Sequence, residues 1–156
     1  MTNQSIESML KDHAFFSGMS DEQVALIAGC GSDVSFDAGE VIFRQNEDAD
    51  AFYILQSGRV GVDIRTQAKT LRIQTLEQND VLGWSWYFPP HIWHFDAVAV
   101  EATKAIAMDA RCLRGKCDDD IALGYELLQR FSKIVIARLE ATRLQAVDMF
   151  GVAGRD

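Results

Sequence analysis

Aromatic and imidazole side chains crowd one stretch of this 156-residue chain. All three Trp and both Pro lie in residues 84–93, and aromatics take six of the twelve positions in 84–95. Such rings either fill a core or line a pocket for a flat or apolar ligand, because they bury large areas and stack on planar groups. Pro89 and Pro90 stiffen the stretch under either reading. His91 and His94, at i and i+3, resemble a metal pair, yet the only other histidine is His13. A cupin-type metal site needs further His and Glu ligands, so a metalloenzyme is a remote alternative.

The charges around these rings argue in the same direction. No Lys or Arg occurs in 73–103, which holds four acids: Glu77, Asp80, Asp96 and Glu101. A buried phosphate needs paired charge or several donors, and an acid beside it repels it. Arg59, Arg65 and Arg72 are the cations able to reach in from neighbouring segments. No Ser-His-Asp order, phosphate loop or dinucleotide glycine pattern is present, which points away from an enzyme.

Cys112 and Cys117 are separated by four residues, with no other Cys or His within ten residues of the pair. A closed zinc site needs about four ligands. With Cys30 the set is odd and sparse, which predicts free thiols in a reducing compartment.

Hydrophobic residues make up 48% and charged residues 24%, enough for one packed domain over 1–156. The net charge of −8 excludes a global electrostatic grip on nucleic acid. No apolar run reaches the roughly 18 residues of a membrane span. Residues 1–12 are polar and acidic, unlike a signal peptide, so a cytoplasmic protein is expected.

Three textures organise the chain. Residues 4–31 read as a helical segment, with Ser20 and Gln23 spaced as a capping box. Residues 33–109 read as short strands: 34–36, 41–43, 52–55, 60–64, 71–73, 97–100 and 105–108. Turn residues separate them, which predicts a β sandwich, jelly roll or barrel. Residues 118–149 read as one long helix, opened by Asp118, Asp119 and Asp120 and ended by Gly151 and Gly154. Leu127, Leu128, Phe131, Ile134, Val135 and Leu139 give it an apolar stripe. Such a helix outruns a small barrel, so a homodimer through it is expected.

Residues 36–60 carry a resemblance. Asp37-Ala38-Gly39, Val41-Ile42, Asn46-Glu47-Asp48, Phe52-Tyr53-Ile54-Leu55 and Ser57-Gly58 follow in the order found in the cyclic-nucleotide-binding domain of the cAMP receptor protein (Crp/Fnr-like) family. Phe15, Phe16, Met19, Leu82-Gly83 and the terminal helix also look similar to it, so the likeness covers residues 13–149. It implies a mainly β fold with flanking helices, a jelly-roll β-barrel between an N-terminal helical segment and a long C-terminal helix. It implies a sensor in which a Gly-Glu pair and a following Arg hold a cyclic nucleotide.

Here the cassette departs from that pattern. Gly83 keeps the Gly, but Trp84 stands where the Glu would be. Counting back from the following strand puts the Arg on Asp96, or on Phe95 after a one-residue slip. Thr142 matches the threonine that contacts the base, and Arg143 replaces a small polar neighbour. The candidate pocket is therefore drawn by Gly83, Trp84, Ser85, Trp86, His94, Asp96, Ala97, Thr142 and Arg143. The expectation is a non-enzymatic regulatory module that does not take cAMP or cGMP by the usual mode. Its pocket is either plugged or adapted to another small-molecule effector, and related regulators include sensors of heme or small organic effectors. A working cAMP or cGMP sensor with an atypical cassette is the alternative. A protein partner is open, a cofactor is not required, and neither direct DNA binding nor membrane attachment is expected.

Overall fold

The computed structural model describes residues 2–153. Two short helices open the chain, α1 (Asn3–Asp12) and α2 (Asp21–Ala28), joined through a single 3-10 turn at Ala14–Phe16. The expected single helical segment is thus broken, and Gly31 already belongs to the first strand. Ser20 does cap α2: its hydroxyl accepts from Gln23 N at 3.1 Å, and Gln23 Oε1 accepts from Ser20 N at 3.0 Å.

Eight strands follow: β1 (Gly31–Phe36), β2 (Val41–Phe43), β3 (Ala51–Ser57), β4 (Val60–Arg65), β5 (Thr70–Leu76), β6 (Val81–Leu82), β7 (Asp96–Ala99) and β8 (Thr103–Asp109). The seven expected strands are all present. β6, with two residues, was too short to show an alternation. The strands form two antiparallel four-stranded sheets, in the orders β1-β8-β3-β6 and β2-β7-β4-β5. The sheets are not closed into a barrel, contrary to the expected architecture. Their outer strands pair with no strand of the other sheet, and two-residue β6 offers too short a ladder to bridge them. Gly39 and Gly58 take φ of 88° and 92° at the turns after β1 and β3, the left-handed region that glycine enters without a Cβ penalty.

The chain ends in two helices, α3 (Ala110–Asp119) and α4 (Ile121–Ala153). The expected single helix from residue 118 is corrected here. Asp109 caps α3, accepting from Cys112 N at 2.8 Å, and Asp120 breaks the helices and accepts from Leu123 N at 3.2 Å. Only Asp120 therefore serves the α4 N-terminus, while Asp118 and Asp119 close α3. Gly151 lies inside α4, and Gly154 lies outside the described residues.

The stripe on α4 also divides in two. Leu123, Leu127 and Phe131 are fully buried in the chain's own core. Leu128 and Leu139 instead join Ile121, Tyr125, Ile136, Leu144 and Val147 as exposed residues. At 100° per residue the two sets lie on roughly opposite faces. A 33-residue helix extends about 50 Å, well past the sheets.

One core joins both sheets to α1, α2, α3 and α4. The ladder that pairs Gly31 with Met108 brings the residues flanking it together. Cys30, just before β1, and Cys112, in the first turn of α3, form a disulfide with Cα atoms 5.8 Å apart. The expectation of three free thiols is corrected: only Cys117 is free among the described residues. The pairing depends on strand register across a separation of 82 residues, which spacing alone does not reveal.

Candidate functional site

Strand β6 ends at Leu82, and Gly83 after it, with a φ of 97°, turns the chain out of the sheet. Residues 84–95 then run without regular secondary structure. Backbone hydrogen bonds fix their second half to the turn before β3: Ala49 N to His91 O at 2.8 Å, Trp93 N to Glu47 O at 2.9 Å and Asn46 N to Trp93 O at 2.9 Å. The loop is therefore held at both ends by the sheets, and its rings are aimed by that frame.

Trp93 is buried and stacks on Phe43 of β2, with centroids 3.6 Å apart and planes 5° apart. It also stands over Gly83. A Cβ at position 83 would meet the Trp93 ring at 2.7 and 2.9 Å. The glycine thus serves two needs, a positive φ and the close approach of an indole. Trp86 is fully buried against Phe52 and Phe131, both with centroids within 5.1 Å. Trp84, half-buried, stacks on His94 at 5.0 Å. The buried Ser85 hydroxyl lies 3.1 Å from His94 Nδ1. The indole N–H groups of Trp84 and Trp86 are buried without a hydrogen-bond partner, a cost of about 1–3 kcal/mol each.

The acid assigned to this site turns out to face elsewhere. Ala97 is fully buried, and strand alternation puts Asp96 on the opposite face of β7. Asp96 accepts from Gln45 N at 2.7 Å and pairs with Arg65 Nε at 2.8 Å and Arg44 at 3.9 Å. Its charge is matched outside the rings, so the expected repulsion of a ligand by Asp96 is corrected. Arg65 does reach across from β4, but to Asp96. Arg72 pairs with Asp63, and Arg59 with Glu77.

Gly83, Trp84, Ser85, Trp86, His94 and Ala97 are thus gathered around one loop, while Thr142 and Arg143 are not brought to it. Both are exposed on α4, and the Thr142 hydroxyl donates to Arg138 O at 2.9 Å. Arg138 instead reaches β5, donating to Gln74 Oε1 at 2.9 Å, and its burial lowers its pKa. A cavity of about 400 Å³ opens between β5 and α4, with His13, Phe15, Gln74, Ile134 and Arg138 in its walls. None of the loop's tryptophans lines it.

Besides the packing of Trp86 and Tyr87 on Phe131, hydrogen bonds join the loop to the terminal helices. Arg114 on α3 donates to Trp86 O at 2.6 Å, and the Tyr87 hydroxyl donates to Gly124 O on α4 at 2.7 Å. Burial, with Cys117 and Asp118 nearby, pushes the Tyr87 hydroxyl up to about 12. Trp93, Phe43, Tyr87 and Arg114 were missing from the sequence-derived site. Trp93 belonged to the counted cluster, but only tertiary packing shows which ring covers Gly83. Among the described residues no group of three His, Cys, Asp or Glu is placed to hold a metal, and no helix is long and apolar enough to cross a membrane.

This arrangement, two antiparallel sheets with a loop after β6 and a long terminal helix, is that of a known class. Residues 33–120 match the cyclic nucleotide-binding domain, and the chain belongs to that family. It is 23% identical over 145 residues, 92% of its length, to the CRP-like cAMP-activated global transcriptional regulator of Mycobacterium tuberculosis. The chain spans less than two thirds of the length of the curated relatives it matches, 63% in that case. Among solved structures it is similar to a putative cyclic nucleotide-binding protein from Geobacter metallireducens, with TM-score 0.74, 25% identity, and coverage of 89% of this chain and 98% of that one. The sensor domain of the transcriptional regulator DNR from Pseudomonas aeruginosa has the same fold, with TM-score 0.71, 21% identity, and coverage of 88% and 93%. The chain is accordingly a cyclic-nucleotide-binding-like regulatory or sensor domain.

Proposed function

We propose that this domain is a non-enzymatic regulator whose nucleotide cassette is filled by its own aromatic rings. The observation that carries the reading is Trp93, wedged between Phe43 and Gly83, the glycine that opens the cassette. With Trp84 in place of the Glu, and with Arg44, Arg59, Arg65 and Arg72 each paired to a carboxylate, cAMP and cGMP find neither space nor charge there. Calorimetric titration of the full chain with each nucleotide tests this. The expected result is no saturable heat; saturable binding at micromolar nucleotide overturns it.

A second reading is favoured by the unpartnered N–H groups of Trp84 and Trp86. Rings with unused donors suit an apolar ligand that carries an acceptor, which would make the loop an adapted pocket. Under both readings we place the protein in the cytoplasm, acting as a homodimer. The exposed apolar face of α4 supports the dimer, since it lies opposite the face that packs on the sheets. The net charge of −8 argues against DNA as a direct partner.

A further inference from the structure

The disulfide between Cys30 and Cys112 lies beside a feature that the regulatory reading leaves unused. Cys112 lines an open cavity of about 730 Å³, whereas Cys30 behind it is only 7% exposed. The cavity presents both signs of charge, Arg111 and Arg114 with Asp48, Asp50 and Asp109. Carboxylates suit the arginines and an ammonium suits the aspartates, so a zwitterionic small thiol fits this wall. Structural disulfides are ordinarily shielded from such reagents, whereas accessible ones are labile.

We infer that Cys30 and Cys112 form a thiol–disulfide exchange site for a zwitterionic low-molecular-weight thiol, and that α3 carries its state to the aromatic loop. The inference stands on the disulfide and its cavity and does not rest on the cassette being filled. In oxidation the Cys112 thiolate attacks one sulfur of the small disulfide, forming a mixed disulfide and expelling one thiolate. Cys30, having given its proton to solvent, then attacks the Cys112 sulfur and expels the second thiolate. Two electrons pass from the protein to the small disulfide, whose two thiolates take up protons. Reduction runs the same steps backwards, with the incoming thiolate meeting Cys112 first because Cys30 is covered.

The route to the loop is short. Cys112 and Arg114 share α3, and Arg114 donates to Trp86 O. Lys116, also on α3, donates to Leu26 O of α2 at 2.7 Å. With the disulfide open, α3 loses its covalent tie next to α2 and keeps that hydrogen bond and its core packing, so the support under Trp86 loosens.

The test equilibrates the folded full chain with reduced and oxidised glutathione at a series of ratios. Thiols are then alkylated and mapped by peptide mass spectrometry, and amide hydrogen exchange is followed in parallel. Cys30 and Cys112 should become protected together as the oxidised share rises, while Cys117 is alkylated throughout. In Cys30→Ser, oxidised glutathione should load Cys112 at least about tenfold faster than it loads Cys30 in Cys112→Ser. Reduction should speed exchange of α3 amides and of the Trp86 and Tyr87 amides at least about tenfold. A bond that glutathione opens only in denaturant, or faster loading of Cys30, overturns the exchange site. Unchanged exchange at Trp86 and Tyr87 after reduction overturns the link to the loop.

Discussion

Trp93 holds the loop and occupies its space at once, so its removal separates stability from access. Trp93→Ala deletes the stack on Phe43 and should cost about 3–5 kcal/mol in denaturant unfolding. A cost under about 1 kcal/mol would show that the ring is not seated as described. Gly83→Ala probes the same contact from the other side. The new Cβ meets both a disfavoured φ and the indole, so the variant should unfold at markedly lower denaturant without any ligand present. The crowding of rings in 84–95 was legible in the sequence, as was the lack of cations around them. Which ring faces Gly83 was not, because that follows from how β2 and the loop pack. Asp96 is the converse case. Its type was plain, but the face it takes depends on the register of β7 against β4.

At the scale of elements, the loop, α3 and α4 are joined by Arg114 and Tyr87. The Tyr87 hydroxyl titrates near 12 in the folded chain, above its ordinary 10.0, and so does Tyr53, raised by burial and by Asp50. A raised folded pKa contributes stability that is complete below pH 10 and lost as pH climbs through 12. Thermal midpoints should therefore fall between pH 10 and 12. Tyr87→Phe should lose about 0.5–1.5 kcal/mol at neutral pH through its bond to Gly124 and fall less steeply in that alkaline window. An identical alkaline slope in the variant would contradict the assigned burial of Tyr87. Local devices such as the Ser20 capping box and the turns at Gly39 and Gly58 were readable, since each is settled within a few residues. The break at Asp120 was missed because three consecutive Asp residues look alike until one of them caps α4. The disulfide was missed because the β1–β8 ladder, and not the spacing of cysteines, brings its halves together.

At the scale of the molecule, α4 has one apolar face in the chain's core and another in solvent. Light scattering should give the mass of a dimer, and the double substitution Ile136→Asp with Leu139→Asp should give a folded monomer. A monomer from the unaltered chain contradicts the dimer. In the proposed filled cassette, the space above Gly83 is already taken by the Trp93 ring. NMR reads it at the atoms concerned, through the Gly83 amide and the Trp93 indole N–H, while cAMP or cGMP is added to the labelled full chain. The filled cassette predicts that neither resonance moves at any nucleotide concentration in the micromolar range. Saturable shifts of both together would contradict it.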